Sequence, residues 1–172
     1  MPEQLVHTPI FDVESFDAET PAGVRTYYRL RAPDWANIAA ITADGHVVLI
    51  RQHRWGTDEE TLEVPGGMVD PGESGEEAAV RELREETGYG GGRVVPLGWV
   101  HPNPAIQDNR CFLFAMVDAS LDSHQDLDEG ESIAVELVTK AQVESLVTEG
   151  TISHALAVVT LQRLLARWSD VR

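Results

Sequence analysis

Residues 65–88, PGGMVDPGESGEEAAVRELREETG, hold a glycine-rich bend followed by a helix whose two ends are both written into the sequence. Ser74 and Glu77 form an S-x-x-E capping box, and Gly88 stands where a left-handed residue would stop the helix, so the spacing predicts a helix over 74–87. At about 100° per residue Ala79, Val80, Leu83 and Thr87 share one face, which should pack on a sheet. Glu82, Glu85 and Glu86 share a separate arc with Arg81 at its edge. Glu82 and Glu86 are like charges at i,i+4, which costs a few tenths of a kcal/mol on a bare helix. A solvated acidic face would tolerate that cost; a site for hard cations would remove it, because carboxylate oxygens suit Mg²⁺ or Mn²⁺.

The glycines upstream favour the second reading. They let the backbone bend tightly and approach a ligand, and Glu73 can pair with Arg81 to hold the bend onto the helix. Charge points the same way. The 172-residue chain has a formal net charge of −16, the wrong sign for a protein that binds long nucleic acid by releasing counterions. An acidic protein that handles phosphates is expected to use divalent cations to offset repulsion. A single cysteine, Cys111, excludes an intrachain disulfide and a cysteine zinc cluster and reads as a core thiol. No apolar run approaches the ~20 residues of a membrane helix, and the N-terminus has no secretory pattern. A cytoplasmic protein is expected.

Strands are expected at Thr26–Leu30, Ile38–Thr42, Val47–Gln52, Thr61–Val64, Val94–Val100, Cys111–Val117 and Ile133–Val138. Thr139 with Gln142 should cap a short helix ending near Gly150, and Ile152–Trp168 reads as a longer helix. SLDSHQDLDEGES, at 120–132, reads as an acidic surface loop. Strands interleaved with few helices suggest an α/β fold, a mixed sheet covered on both faces.

Gly67, five residues, Glu73, seven residues, then Arg81-Glu82-Leu83-Arg84-Glu85-Glu86-Thr87-Gly88-Tyr89 resembles the box of the Nudix hydrolases at every defined position. The resemblance implies a Nudix-type α/β/α sandwich over 35–172 with a mixed β-sheet. It also implies a short N-terminal β appendage over 1–34, used by related enzymes to form a homodimer. It implies hydrolysis dependent on Mg²⁺ or Mn²⁺, with Glu82 and Glu86 as main metal ligands, Glu85 assisting and the Gly66 carbonyl as a further ligand. Gly67 would border the substrate, and Arg81 and Glu73 would be the orienting ion pair.

LIRQHRWGTDEETLEVPGG, at 49–67, is similar to the ADP-ribose and nucleotide-sugar pyrophosphatase branch. There an arginine in the place of Arg54 contacts substrate, although a strand-end arginine in water is an equal reading. Pro104 also resembles that branch. Its members often carry a glutamate shortly after this proline as a base, whereas this chain has Asp108 and Asn109. Either Asp108 serves, a box glutamate such as Glu85 does, or the substrate differs. Residues 101–110 are the expected lid and specificity loop, with Pro104 and Asn109 touching substrate. Trp35 and Tyr27-Tyr28 are candidates to stack on a base, with buried packing the favoured alternative. The expected substrate is a small nucleoside diphosphate sugar, ADP-ribose or GDP-mannose in type. Nucleoside triphosphates, capped RNA 5′ ends, or ADP-ribose binding without turnover are the alternatives.

Overall fold

The computed structural model describes residues 2–127 and 129–172. Strands β1 (Glu3–His7), β2 (Asp12–Thr20) and β3 (Gly23–Arg31) form an antiparallel sheet in the order β1-β2-β3. The sequence reading expected only Thr26–Leu30 here. The nine-residue strands β2 and β3 show little apolar alternation because charges join them. Arg29 lies opposite Glu14 in the ladder, donating to Glu14 Oε2 from Nε and Nη2 at 3.0 and 2.9 Å. Cross-strand pairs of this kind stabilise a sheet without a hydrophobic face. Tyr27 stacks on Phe16, centroids 6.0 Å apart. It and Tyr28 are exposed, contrary to the buried packing favoured above.

The second sheet contains β4 (Trp35–Thr42), β5 (His46–Arg54), β6 (Glu59–Glu63), β7 (Gly66–Met68), β8 (Tyr89–Gly90), β9 (Arg93–Val100), β10 (Cys111–Leu121) and β11 (Ile133–Thr139). Its central path runs β11-β5-β4-β10-β8, with β6 on β5, β7 on β4 and β9 on β10. The strands β4 and β10 pair in parallel while the remaining named pairs are antiparallel. The sheet is therefore mixed. Around it lie α1 (Gly75–Thr87), α2 (Lys140–Thr148), α3 (Ala155–Ala166) and α4 (Trp168–Val171).

Period-two alternation along β4 supplies both faces. Ala36, Ile38 and Ala40 join Ala78, Ala79 and Leu83 of α1 in one core. Ala39 and Ile41 join Ala157, Leu161 and Leu164 of α3 in the other. The result is an α/β/α sandwich, with Cys111 fully buried in the second core. Burial of Leu83 alone is worth roughly 1.5–3 kcal/mol, against the few tenths that the Glu82–Glu86 pair costs. Packing therefore outweighs the repulsion, and α1 forms. Among the described residues no helix is long and apolar enough to cross a membrane.

Both capping boxes are present, Ser74 with Glu77 and Thr139 with Gln142. Three expectations shift. The glycine bend is partly a strand: Gly66, Gly67 and Met68 pair with Asn37, Ala36 and Trp35. The last helix begins at Ala155 rather than Ile152 and breaks at Arg167, because Ile152 is spent in the α2–α3 turn, donating to Leu146 O. Finally, the acidic segment is not a free surface loop. Gln125 Nε2 donates to Glu86 O at 2.7 Å, Asp126 N to Glu85 O at 2.9 Å, and Asp122 N and Ser123 N to Gly88 O. The last-turn carbonyls of α1 need such partners. Asp128 of that segment lies outside the described residues.

Candidate active site

The capped start of α1 fixes where its polar arc points, and the arc faces the strand-and-bend 66–74. Arg81 ties the two together. Its Nε donates to Glu73 Oε1 and its Nη2 to Glu73 Oε2, both at 3.0 Å. Nη2 also reaches Met68 O at 3.0 Å. From Nη1 it donates to Glu82 Oε1 at 2.9 Å and Glu85 Oε2 at 3.0 Å. The expected Glu73–Arg81 pair exists, and the same guanidinium also gathers two helix carboxylates. These partners, Glu73 first, raise the Arg81 pKa above its ordinary value.

Glu86 has a different environment. It is 4% exposed, and its Oε2 accepts the Gly66 N–H at 3.0 Å. Burial, reinforced by the nearby Glu82 charge and opposed by the Gly66 bond, pushes its carboxyl up to about 8. Burial likewise raises Glu82, against the pull of Arg81. Sequence periodicity placed Glu86 on the polar arc; the structure shows that the sheet edge covers it.

Glu82, Glu85 and Glu86 line a cleft of about 490 Å³ together with Arg81 and Arg54. Asp126 and Glu131 stand on the same wall. Sequence reasoning left these two in a loop, although the unpaired carbonyls at the end of α1 were the signal that something must fold back there. Next to this cleft is a second, largely apolar one of about 350 Å³, lined by Phe11, Leu30, Trp35, His154 and Leu156 among others. Arg54, Gly66, Gly67 and Met68 line both.

Arg54 stands at the junction because Glu63 holds it. The Arg54 Nε and Nη2 each donate to Glu63 at 2.8 Å, one to each oxygen. Glu63 is 1% exposed. Burial alone would raise its pKa, but the bonds from Arg54 and Thr61 prevail and hold it below the usual carboxylate range. The sequence reading did not single out Glu63. Its signal was a charge at an inward-facing position of β6, beside Arg54 on β5.

The 101–110 loop lies along β3, with Leu30 N donating to Ile106 O at 2.7 Å. Gln107 is the residue of this loop that lines the apolar cleft. Pro104 is exposed and lines neither cleft. Asp108 Oδ2 lies 4.0 Å from Arg29 Nε. Asn109 is 2% exposed, and its Nδ2 donates to Pro33 O at 2.9 Å. That amide nitrogen seats the loop on the segment before β4, and Asn109 lines neither cleft. Trp35 does line the apolar cleft; Tyr27 and Tyr28 do not.

Among the described residues no three carboxylate, imidazole or thiol groups already converge as metal ligands, since Glu82 and Glu85 are turned onto Arg81. The donor set nonetheless fits a hard divalent cation. Three neighbouring carboxylates supply oxygen, and a cation beside Glu86 would offset the cost of burying its charged form.

The NUDIX domain family matches residues 32–158. The chain belongs to the Nudix family. Members of this family generally use divalent metal ions, and the protein is a Nudix pyrophosphohydrolase. The ADP-ribose pyrophosphatase of Bacillus subtilis (strain 168) is 27% identical over 164 residues, covering 94% of this chain and 89% of that protein. The ADP compounds hydrolase NudE of Escherichia coli (strain K12) is 41% identical over 90 residues, 51% of this chain and 48% of its own length. A crystal structure of an ADP compounds hydrolase superposes with a TM-score of 0.85 at 30% identity, over 99% of this chain and 92% of that one.

Two adjacent glycines of the Nudix box region are close-packed for different reasons. A Cβ on Gly67 would run into the Glu82 carboxylate, whereas one on Gly66 would meet the Ala36 carbonyl and the Asn37 side chain and Cα. Gly67→Ala is therefore expected to push Glu82 aside, lowering kcat by about 10²-fold with a Tm near wild type, because a flexible carboxylate can move. Gly66→Ala meets backbone and is expected to cost about 1–3 kcal/mol, a loss of roughly 2–4 °C in Tm per kcal/mol. Thermal melts and turnover assays on both variants separate the two effects.

Proposed function

We propose that the protein hydrolyses the pyrophosphate bond of a nucleoside diphosphate sugar, of the ADP-ribose or GDP-mannose type, giving a nucleoside monophosphate and a sugar phosphate. The observation that carries this reading is the adjacency of the two clefts, one carboxylate-lined and one apolar, with Arg54 at their junction. The charged cleft suits the diphosphate and the apolar one suits the nucleoside, which can spread against Trp35 and Leu156. The relatives named for ADP-ribose and ADP compounds support the same substrate class.

Mg²⁺ or Mn²⁺ held by Glu82, Glu86, Glu85 and the Gly66 carbonyl would neutralise phosphate charge and acidify a bound water. Arg54, already oriented by Glu63, binds a phosphate oxygen at the junction. Arg81 and Glu73 keep the bend and the helix in register, so that the carboxylates hold their spacing. Glu85, half-exposed in the cleft, accepts the proton of the attacking water. Asp108 is the less favoured base, because it lines neither cleft. The water oxygen bonds to phosphorus, the bridging P–O bond breaks, and the leaving phosphate oxygen keeps the electron pair. Residues 1–34, with Val24 and Tyr28 exposed, form the pairing surface of a homodimer, which light scattering would test.

The deciding experiment incubates the protein with Mg²⁺ or Mn²⁺ and a panel of nucleoside diphosphate sugars, dinucleotides and nucleoside triphosphates. Products are then identified by chromatography. AMP with ribose 5-phosphate from ADP-ribose is the expected outcome. Exclusive turnover of triphosphates, or turnover undiminished by a chelator, overturns the reading.

A further inference from the structure

The polar side chains that line the apolar cleft are Asn37, Arg54, Gln107 and His154. Arg54 and His154 both stand against Glu63. Gln107 is half-buried on the 101–110 loop, where water can serve its amide. Asn37 is different. It lies within β4 at 7% exposure, and no described residue makes a hydrogen bond to its side-chain amide. An amide buried without a partner costs free energy that an apolar side chain in the same place would not. The strand gives no reason for it, since Trp35, Ala39 and Ile41 on the same face pack into the α3 core.

The amide is nonetheless not sealed in, and the cleft it lines is the apolar one. Gly66, its partner in the β4–β7 ladder, shows where along that cleft it stands. A Cβ on Gly66 would come within 2.5 Å of Asn37 Oδ1, so the amide lies against a residue that lines both clefts. A nucleotide with its nucleoside in the apolar cleft and its diphosphate in the charged one crosses this seam at the phosphate that carries the nucleoside. Ionised phosphate oxygens only accept hydrogen bonds. An amide nitrogen offers two hydrogens and, being neutral, is buried at far lower cost than a second cation beside Arg54. With no partner holding it, the amide can turn its nitrogen to that oxygen.

We propose that Asn37 is a further substrate-binding residue, whose Nδ2 donates a hydrogen bond to an oxygen of the nucleoside-bearing phosphate at the seam of the two clefts. The proposal rests on the nucleoside diphosphate sugar reading above. It accounts for an amide that the fold itself leaves unpaired: the ligand supplies the missing partner, and Arg54 supplies the charge that the neutral amide does not.

The test compares wild type with Asn37→Leu, which is similar in size and cannot donate, and with Asn37→Ala. Melts without ligand come first. Asn37→Leu is expected to melt at or above the wild-type temperature, because it removes an unpaired buried amide. Calorimetric titration then uses adenosine 5′-monophosphate and adenosine. The monophosphate should bind Asn37→Leu about tenfold more weakly than wild type, while adenosine binds both alike. In turnover of ADP-ribose, KM should rise about tenfold with kcat nearly unchanged, as expected for lost uniform binding. Monophosphate binding that is unchanged in a folded Asn37→Leu overturns the assignment, as does an equal weakening of adenosine, which would move the contact to the nucleoside. If Asn37→Leu does not fold, a folded Asn37→Ala that binds the monophosphate as wild type does assigns the amide to the fold and overturns the proposal. A protein whose monophosphate binding depends on Asn37 but which hydrolyses no nucleoside diphosphate sugar leaves Asn37 in place and removes the functional reading instead.

Discussion

Glu86→Gln is expected to lose at least about 10²-fold in kcat and, in the presence of a chelator at pH 8, to melt at a higher temperature than wild type. The activity loss follows from replacing a charged oxygen donor by a neutral one at the most enclosed position of the site. The stability gain follows from the same burial. The Glu86 carboxyl is pushed up to about 8 by desolvation, while in the unfolded chain it titrates near 4.3. Between those values the folded state holds a proton that the unfolded state has released. Stability is therefore intact below the unfolded value and drains away as pH rises toward 8. Each unit of difference corresponds to about 1.4 kcal/mol, so the cost reaches a few kcal/mol. Glutamine removes it and can still accept the Gly66 N–H. Differential scanning calorimetry at pH 5 and pH 8 should show a gap between variant and wild type that opens with pH. Undiminished turnover, or a gap that does not change with pH, would contradict the role assigned to Glu86.

The second large effect concerns Arg54. Arg54→Met is expected to destabilise the protein by about 3–5 kcal/mol, on the order of 10 °C in Tm. It does so by leaving Glu63 charged, 1% exposed and without its two guanidinium bonds. Because the Glu63 pKa is depressed in the folded protein, the pair's contribution is present above the unfolded carboxylate value and is lost as pH falls through the folded one. The Tm difference between Arg54→Met and wild type should thus be largest near neutral pH and shrink in acid. Adding Glu63→Gln to Arg54→Met should recover part of the loss, because it removes the stranded charge. A double-mutant cycle measures that coupling. Additive losses would mean that Arg54 and Glu63 do not act as one unit.

These two effects mark where linear reading stops. Chain order alone contained the α1 boundaries, through Ser74, Glu77 and Gly88, and the arc shared by Glu82, Glu85 and Glu86. These are helical facts within a turn or two, set by 3.6-residue geometry and by which end groups lack partners. The spacing from Gly67 through Glu73 to Arg81 was legible for the same reason: the bend and the helix it enters are contiguous. The interleaving of strands with few helices likewise suggested a sheet covered on both faces.

What no local window contained was the environment of each charge. Glu86 looks like Glu85 in sequence; only the packing of β7 across α1 buries one and leaves the other half-exposed. Asn109 sits in an expected substrate loop, but it is buried and its amide nitrogen donates to Pro33 O, 76 positions away in the chain. Glu63 and His154 are 91 positions apart in numbering and 3.1 Å apart in space. Periodicity and caps are short-range consequences of backbone geometry, so the sequence by itself determined most strands of the second sheet and the carboxylate-bearing helix α1. Desolvation and charge pairing depend on which distant segments close over a group, and these the tertiary structure alone decided.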